Sequence, residues 1–201
     1  MVKRKSIFKV LKGKAKTDGV DDHVYETQQA LIYLAEQKVV EIRKKTDSPF
    51  LQIIDVLEAS IKNCLYRSST SESELDCVED CYSILKIIFR GKKYHFRLCE
   101  WKADDATPAS IRKQECKNIH TNACILNQLT TMPFDEDDYD ATTLSIMYMD
   151  WVGRDGVLKA IIKKDDIQVV TKIDSLYIPC SIHEINSKFK KSIQLLYTWK
   201  P

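Results

Sequence analysis

Two stretches of the sequence decide the fold class. Residues 47–64 read DSPFLQIIDVLEASIKNC, and residues 142–151 read TTLSIMYMDW. The first begins with Asp47-Ser48-Pro49, an N-cap signal followed by proline at the first helical position, and its apolar residues recur every three or four positions. In the second stretch, apolar and polar residues alternate, which is typical of a strand with one buried face. The chain therefore combines helices with strands.

The neighbouring elements are predicted outward from these two stretches. The first stretch predicts a helix over 49–64. A second helix is predicted over 74–90, with Leu75, Val78, Tyr82, Leu85 and Phe89 on its buried face. Residues 30–45 suit a helix by propensity and a strand by their period of two, so both assignments stay open. Residues 102–115 are predicted as a loop, and residues 182–190 as a short helix. The predicted strands are 94–99, 118–126, 142–151, 157–163, 167–173 and 192–199.

Helices come early in this order and strands come late, which indicates an α+β fold. We predict an antiparallel β-sheet packed against two α-helices, preceded by a disordered basic N-terminal arm.

The first sixteen residues are strongly basic. They contain seven basic side chains and no acidic one, whereas the other 185 residues contain 24 basic and 29 acidic residues. The net charge of +2 therefore hides a positive arm joined to an acidic body. Such an arm indicates binding to phosphate-bearing surfaces or to the acidic body of a neighbouring copy; a solvated tail is the alternative. We divide the chain into a flexible arm over 1–29 and one globular domain over 30–201.

Several functional classes are disfavoured by the sequence. No apolar run approaches the roughly 20 residues that cross a membrane, and no signal peptide follows the basic start, so we expect a cytosolic chain. No nucleophile elbow, phosphate-binding glycine loop or zinc-protease motif occurs, so we predict neither enzyme activity nor a cofactor. The seven cysteines and four histidines lack zinc-site spacing, and the acidic loop 135–140 lacks the pattern of a calcium loop. We therefore predict thiols and no metal site.

The order of these features resembles the matrix proteins of animal rhabdoviruses, the vesicular stomatitis group and its relatives. Both have a lysine-rich start, a Gly-Val-Asp acidic segment, a strand and then a Pro-Phe helix. The similarity extends in order over about residues 3–199 and consists of short matches. These lie at 39–42, 47–50, 55–57, 82–89, 122–126, 132–134, 144–150 and 199–200.

The resemblance implies a viral structural protein that binds the inner membrane leaflet, condenses the helical nucleocapsid, drives assembly and budding, and inhibits host gene expression. Its implied partners are anionic lipids, the nucleoprotein–RNA nucleocapsid, further copies of itself, the viral glycoprotein tail, and host mRNA-export or budding factors. The implied locations are the virion between envelope and nucleocapsid, the host cytoplasm, the inner face of the plasma membrane and the host nucleus.

The arm is the candidate site for membrane and nucleocapsid binding. Its basic side chains would contact phosphates, and its apolar side chains would enter the lipid interface. The residues are Lys3, Arg4, Lys5, Ile7, Phe8, Lys9, Leu11, Lys12, Lys14 and Lys16.

A second candidate site follows the arm. Residues 19–25 (GVDDHVY) are similar to the family segment that inserts an apolar residue, flanked by acids, into a host mRNA-export complex. That segment has methionine where this chain has His23. The resemblance therefore assigns host-factor binding to Asp21, Asp22, His23 and Val24.

The usual budding motifs of the family, Pro-Pro-x-Tyr and Pro-Thr-Ala-Pro, are absent from this sequence. Residues 82–85 (YSIL) fit the shorter Tyr-x-x-Leu pattern, but Tyr82 and Leu85 belong to the packed face of a predicted helix, so we favour a structural role for them.

Three other functions stay open. A matrix-like viral accessory protein would bind host factors without building a virion, and it is the main alternative. A nucleic-acid-binding module would suit the arm, although the body is acidic and lacks an aromatic-basic strand motif. An enzyme ranks last.

Overall fold

The computed structural model describes residues 20–44, 48–66, 73–90, 101–132 and 144–199. These residues belong to two compact units. The first consists of the chain up to residue 95 together with residues 177–201, and the second consists of residues 96–176. The division into an arm over 1–29 and one domain over 30–201 stays a prediction, although a helix takes in residues 20–29 of that arm.

The first unit is helical. Helix α1 covers Val20–Arg43, α2 covers Pro49–Tyr66 and α3 covers Glu74–Ile88. Helix α1 packs on α2, and α2 packs on α3. The helix predicted over 49–64 is confirmed, and the open assignment of 30–45 is resolved as helix.

Local capping explains where α2 and α3 begin. The Ser48 hydroxyl accepts a hydrogen bond from the Phe50 N–H at 3.1 Å. The Ser73 hydroxyl accepts from the Asp76 N–H, and the Asp76 carboxylate accepts from the Ser73 N–H, which completes a capping box. Each cap satisfies backbone donors that the first helical turn leaves unpaired.

Helix α3 is confirmed in its position but turned from the orientation that we predicted. Leu75 and Tyr82, which we expected on the buried face, are 64% and 36% exposed. Leu85 and Phe89 are buried as predicted, and the rest of the buried side is formed by Cys77, Cys81, Ile84 and Ile88. The packed face is thus shifted toward the two buried cysteines, which behave as small apolar side chains, and large apolar residues alone do not indicate this shift.

The C-terminal helix, α5, consists of three consecutive segments: an α-helical turn Ile182–Glu184, a π-helical turn Ile185–Phe189 and an α-helix Lys190–Trp199. The strand predicted over 192–199 is wrong. Phe189, Ile193 and Leu196 are buried, and their spacing of four and then three residues forms one helical stripe.

The second unit contains a four-stranded sheet in the order β1-β2-β3-β4. Strand β1 covers Trp101–Lys102, β2 Ser145–Val152, β3 Asp155–Lys164 and β4 Ile167–Tyr177. Strands β2 and β3 are antiparallel and joined by a two-residue turn, in which Gly153 has a φ of +53°. Strands β3 and β4 are joined by a turn of the same length, in which Asp165 has a φ of 54°.

The pairing of β1 with β2 is parallel, so the prediction of a purely antiparallel sheet is wrong. Parallel neighbours need a crossover connection, and helix α4, Pro108–Thr130, lies between these two strands in the chain. The Trp101 and Trp151 rings stack with centroids 4.7 Å apart, and the Trp101 indole N–H donates to the Gly153 carbonyl at 2.8 Å.

Helix α4 contradicts two predictions, the loop over 102–115 and the strand over 118–126. The helix begins at Pro108 because the Thr107 hydroxyl accepts from the Ser110 N–H, a cap that we did not recognise. Leu126 of α4 packs with Tyr148 of β2 and Ile161 of β3 to form the centre of this unit.

The structure therefore confirms a fold that combines helices with a sheet. The sheet is mixed, and the described residues form five helices where the predicted fold had two packed on the sheet. The strand predicted over 94–99 lies outside the described residues. Within the described part of the chain, no helix is long and apolar enough to be a candidate membrane span.

Candidate interaction surfaces

The membrane- and nucleocapsid-binding residues predicted from the sequence, Lys3 through Lys16, lie outside the described residues. The predicted host-factor residues follow directly. Asp21, Asp22 and His23 belong to the first turn of α1, although only their backbone is described. Val24 is 45% exposed, so an apolar side chain is accessible at the second predicted site.

Helix α1 has an exposed apolar face, which we call the α1 stripe. It consists of the apolar residues Tyr25, Ile32, Ala35, Val39 and Ile42 together with the polar Gln28, all of which are exposed. Their alternating spacing of three and four residues is the spacing that lines one side of a helix. We missed this stripe because we assigned residues up to 29 to the arm and left 30–45 open. The seven-residue spacing of Tyr25, Ile32 and Val39 was the available signal.

The opposite face of α1 is packed and carries an ion-pair cluster. Ala30 and Leu34 are buried there. The Lys38 ammonium lies 2.7 Å from the Asp55 carboxylate and 3.0 Å from that of Glu58, and Arg90 approaches Asp55 at 3.0 Å. The hydrogen bond to Asp55 raises the pKa of Lys38 despite partial burial, with a further contribution from Glu58. This cluster holds α1 on α2, which fixes the direction in which the α1 stripe points.

A polar cluster lies between α4 and the sheet of the second unit. The Lys159 ammonium pairs with the Glu115 carboxylate and lies 2.9 Å from that of Asp150. The Asn118 side-chain amide donates to Asp150 at 2.5 Å. Burial opposes the charge on Lys159, but the bonds to Glu115 and Asp150 outweigh burial and raise its pKa.

This cluster borders a cavity of about 260 Å³, which is also lined by Lys102, Ile111, Gln114 and Asp155. Because Lys159 is held in its charged form, it is not available as a base or nucleophile at neutral pH. Asp150 and Glu115 share this one cation, which is the arrangement of a structural ion-pair cluster.

The beginning of α5 holds an ionised carboxylate. Glu184 accepts hydrogen bonds from the Tyr177 hydroxyl at 2.6 Å and from the Cys180 N–H at 2.9 Å, and the Cys180 thiol lies 3.0 Å away. Burial of Glu184 opposes ionisation, but these hydrogen bonds, led by that of the Cys180 thiol, lower its pKa to about 2. The carboxylate thereby fixes the turn that precedes α5.

The six cysteines that the structure describes are not joined by disulfides. Cys77 and Cys81 share one face of α3 and are buried, and burial raises the pKa of the Cys81 thiol. Such a thiol is poorly nucleophilic, because the thiolate is the reactive form. Among the described side chains, no group of three or more histidine, cysteine or acidic residues is arranged to hold a metal ion.

The second exposed apolar surface is strand β4, at the end of the sheet order. Ile167 is 69% exposed, Val169 and Val170 are each 39% exposed, and Ile173 is 42% exposed. Adjacent residues of a strand point to opposite faces of the sheet, and Val169 and Val170 are adjacent. Side chains on both faces of β4 are therefore accessible. Sequence analysis predicted the strand but not this exposure, although the adjacent valines with a lysine two positions further on could have indicated it.

No protein-family model matches the sequence, and no curated protein and no solved structure is significantly similar to the chain.

Proposed function

We propose that this chain is a viral matrix-type protein that binds the inner membrane leaflet and the nucleocapsid and drives virion assembly and budding. The observation that carries the proposal is the segregation of charge: seven basic residues and no acid in the first sixteen positions, joined to a body with more acidic than basic residues. A structural protein of this kind acts through surfaces rather than through a catalytic cleft.

The arm performs the membrane step in this proposal. Basic residues near an anionic leaflet contribute on the order of 1 kcal/mol each before the cost of ordering the arm. Ile7, Phe8 and Leu11 lie between the basic residues, and they would enter the lipid interface. The same positive charge suits the phosphates of the nucleocapsid, so that one arm serves both surfaces in succession.

The position of the arm supports this mechanism. Its last basic residue, Lys16, lies four positions before α1 begins at Val20. The inner face of α1 is held to α2 by the cluster of Lys38, Asp55 and Glu58. A charged arm tethered to a helix that is itself anchored can pull the body to the membrane without unfolding it.

Flotation of the full chain with vesicles tests the proposal. Vesicles that contain phosphatidylserine should carry the protein at low salt and release it as salt rises, because screening weakens the attraction. Replacing the seven basic arm residues with glutamine should abolish flotation. Binding that is unchanged by this replacement would contradict the proposal.

The matched control removes the same charge from the body. It replaces seven basic residues that lie elsewhere on the described surface: Arg43, Arg112, Lys113, Lys117, Lys163, Lys164 and Lys191. This variant should keep most of its flotation. If both variants lose binding equally, net charge rather than the arm controls attachment.

The alternative is a matrix-like accessory protein that binds host factors, and the α1 stripe favours it. Exposed apolar side chains at helical spacing are typical of a face that another helix covers. Capture of a nuclear-pore mRNA-export factor by the full chain, lost on Val24→Glu, would support this function. It would also assign host-factor binding to the segment Asp21–Val24, and absence of capture at micromolar concentration would contradict it.

A further inference from the structure

Strand β4 is the last strand in the order of the described sheet. Among the described residues, no strand pairs with the side of β4 that faces away from β3. The strand is eleven residues long, and its residues from Val169 to Ile173 are all exposed. A long, exposed edge strand rich in β-branched residues is a template for pairing with another strand.

The turn between β3 and β4 determines which backbone groups face outward. The equivalent turn between β2 and β3 pairs Val152 with Asp155, so a turn of the same length pairs Lys164 with Ile167. In an antiparallel hairpin, the two residues that flank such a turn bond to each other, and the next residue directs its N–H and C=O away. The even-numbered residues of β4, among them Gln168, Val170 and Lys172, therefore present their backbone groups to the outer edge.

We propose that β4 pairs with β4 of a second copy of this chain, antiparallel and about a two-fold axis at Ile173. In this arrangement Ile173 faces Ile173 of the other copy, and Lys172 of each copy faces Asp174 of the other. The two four-stranded sheets join into one sheet of eight strands. The interface is isologous, so that the dimer closes instead of extending into a fibre.

The charges on β4 complement those of a second β4 that runs antiparallel to it. This complementarity identifies a second copy of the chain as the pairing partner and fixes the register of the two strands. Opposite charges on facing residues stabilise a strand pair, and like charges destabilise it. An axis at Lys172 would place lysine against lysine, and an axis at Asp174 would place aspartate against aspartate. Only the axis at Ile173 pairs Lys172 with Asp174 twice.

The same register satisfies the backbone and the side chains. It places Lys172 opposite Asp174, both of which present their backbone groups outward, so the two residues can exchange N–H···O bonds. One Asp174 oxygen already accepts a hydrogen bond from the Ser175 N–H at 2.7 Å. A carboxylate has about four acceptor positions, so it can also accept from a lysine of the second copy. The apolar Ile173 pair, 42% exposed in the single chain, becomes covered.

This inference goes beyond the proposed function and does not depend on the arm. It concerns strand β4, and its failure would leave arm-dependent membrane binding intact. If both hold, the protein that reaches the membrane is a dimer with two arms, which strengthens attachment by avidity.

Disulfide trapping of the full chain tests the register. Facing residues in a non-hydrogen-bonded pair have Cα atoms about 4.5 Å apart, which suits a disulfide. Ile173→Cys should therefore give a dimer linked through residue 173, identified by mass spectrometry of the linked peptide. In the control Ile167→Cys, the substituted position is more exposed than residue 173. It lies outside the segment of β4 that pairs with the second copy, so it should give no such link. Equal trapping at both positions, or none at 173, would overturn the proposal.

Charge reversal supplies a second test that does not require cysteine. Lys172→Asp places aspartate against Asp174, and Asp174→Lys places lysine against Lys172, so each variant alone should weaken the dimer by about tenfold in sedimentation. Mixing the two variants restores opposite charges at both positions, so a heterodimer should form with affinity near that of the original chain. Single variants whose dimer dissociation constant is unchanged, or a mixture of folded variants that associates no more tightly than either variant alone, would overturn the proposal.

Discussion

Strands β3 and β4 are neighbours of similar length and similar apolar content, but their surroundings differ. In β3, Leu158 is 1% exposed and Ile161 is fully buried. In β4, Val169, Val170 and Ile173 are all more than a third exposed. Strand β3 lies between two other strands and beneath α4, whereas β4 has a described neighbour on one side only.

This contrast shows that β-branched residues do not by themselves indicate a core strand. In β3 they stabilise the fold of the single chain, because burial removes them from water. In β4 the described structure leaves them more than a third exposed, and we propose that they serve an interface. Substitutions in β3 should therefore act on folding, and equivalent substitutions in β4 should act on association.

The largest effect on folding is expected at Ile161. It lies in the core cluster with Leu126 and Tyr148, and Ile161→Ala should lower the free energy of unfolding by about 3 kcal/mol through lost burial and the remaining cavity. The matched substitution Ile173→Ala should lower it by less than about 0.5 kcal/mol in dilute protein. Urea denaturation measures both, and similar values would remove the distinction between the strands.

A smaller effect is expected at Lys159. Lys159→Met leaves Asp150 without its cation and should lower the free energy of unfolding by about 2 kcal/mol. This is less than the cost of breaking a fully buried ion pair, because the Glu115 side chain is 43% exposed. Lys172→Met on exposed β4 is the control and should change stability little. A neutral effect of Lys159→Met would show that the cluster does not hold α4 on the sheet.

The pH dependence of the same cluster provides an independent check. The pKa of Lys159 is raised from its ordinary value of 10.5, so its contribution is fully present below pH 10.5 and is lost as pH rises through the raised pKa. The difference in stability between the original chain and Lys159→Met should therefore shrink above pH 10.5. A difference that stays constant through that range would mean that Lys159 does not titrate with folding.

A similar or smaller effect is expected at Gly156, which faces Trp151 across β2 and β3. A Cβ at this glycine would lie 2.5 Å from the Trp151 ring, so Gly156→Ala should lower the free energy of unfolding by about 1–2 kcal/mol and disturb the stack with Trp101. Thr171→Ala on β4 is the control. Unchanged thermal stability and tryptophan fluorescence in Gly156→Ala would contradict this packing.

The smallest effect is expected at Ile167. Its side chain is 69% exposed, and Ile167→Thr should change the free energy of unfolding by less than about 0.5 kcal/mol. Residue 167 also lies outside the segment of β4 that pairs in the proposed dimer, so the dissociation constant of the dimer should not change. A large loss of stability would show that β4 is covered in the single chain.

The sequence predicted the elements whose signals are local. Helix α2 was predictable because Ser48 and Pro49 mark its start and its apolar stripe is continuous. Strands β2, β3 and β4 were predictable from alternation and from the turns at Gly153 and at residues 165–166.

The sequence did not predict elements whose identity depends on packing. Helix α4 has few apolar residues, and Gln114 and Asn118 are among its buried positions, so that no clear stripe appears. The end of the chain was assigned to a strand because Ile193, Leu195 and Tyr197 also alternate. The buried spacing of Phe189, Ile193 and Leu196 becomes visible only in the folded chain.

One candidate site was predictable from the sequence, and the other could be found only in the folded structure. The arm is evident from charge alone, because seven basic residues without an acid need no fold to be recognised. The edge of β4 required the sheet order, since only the absence of a described strand beyond it makes Lys172 and Asp174 a recognition pair. Exposure of that kind cannot be derived from periodicity.

Hydrogen–deuterium exchange of the full chain, in dilute solution and on phosphatidylserine vesicles, tests the central claim that this protein acts by assembling through its surfaces. We expect β3 amides to be protected in both states, and the Val170 and Lys172 amides of β4 to exchange rapidly in dilute solution and become protected on the vesicles. Rapid exchange of the β4 amides on protein-coated vesicles, or no attachment to the vesicles, would contradict the account.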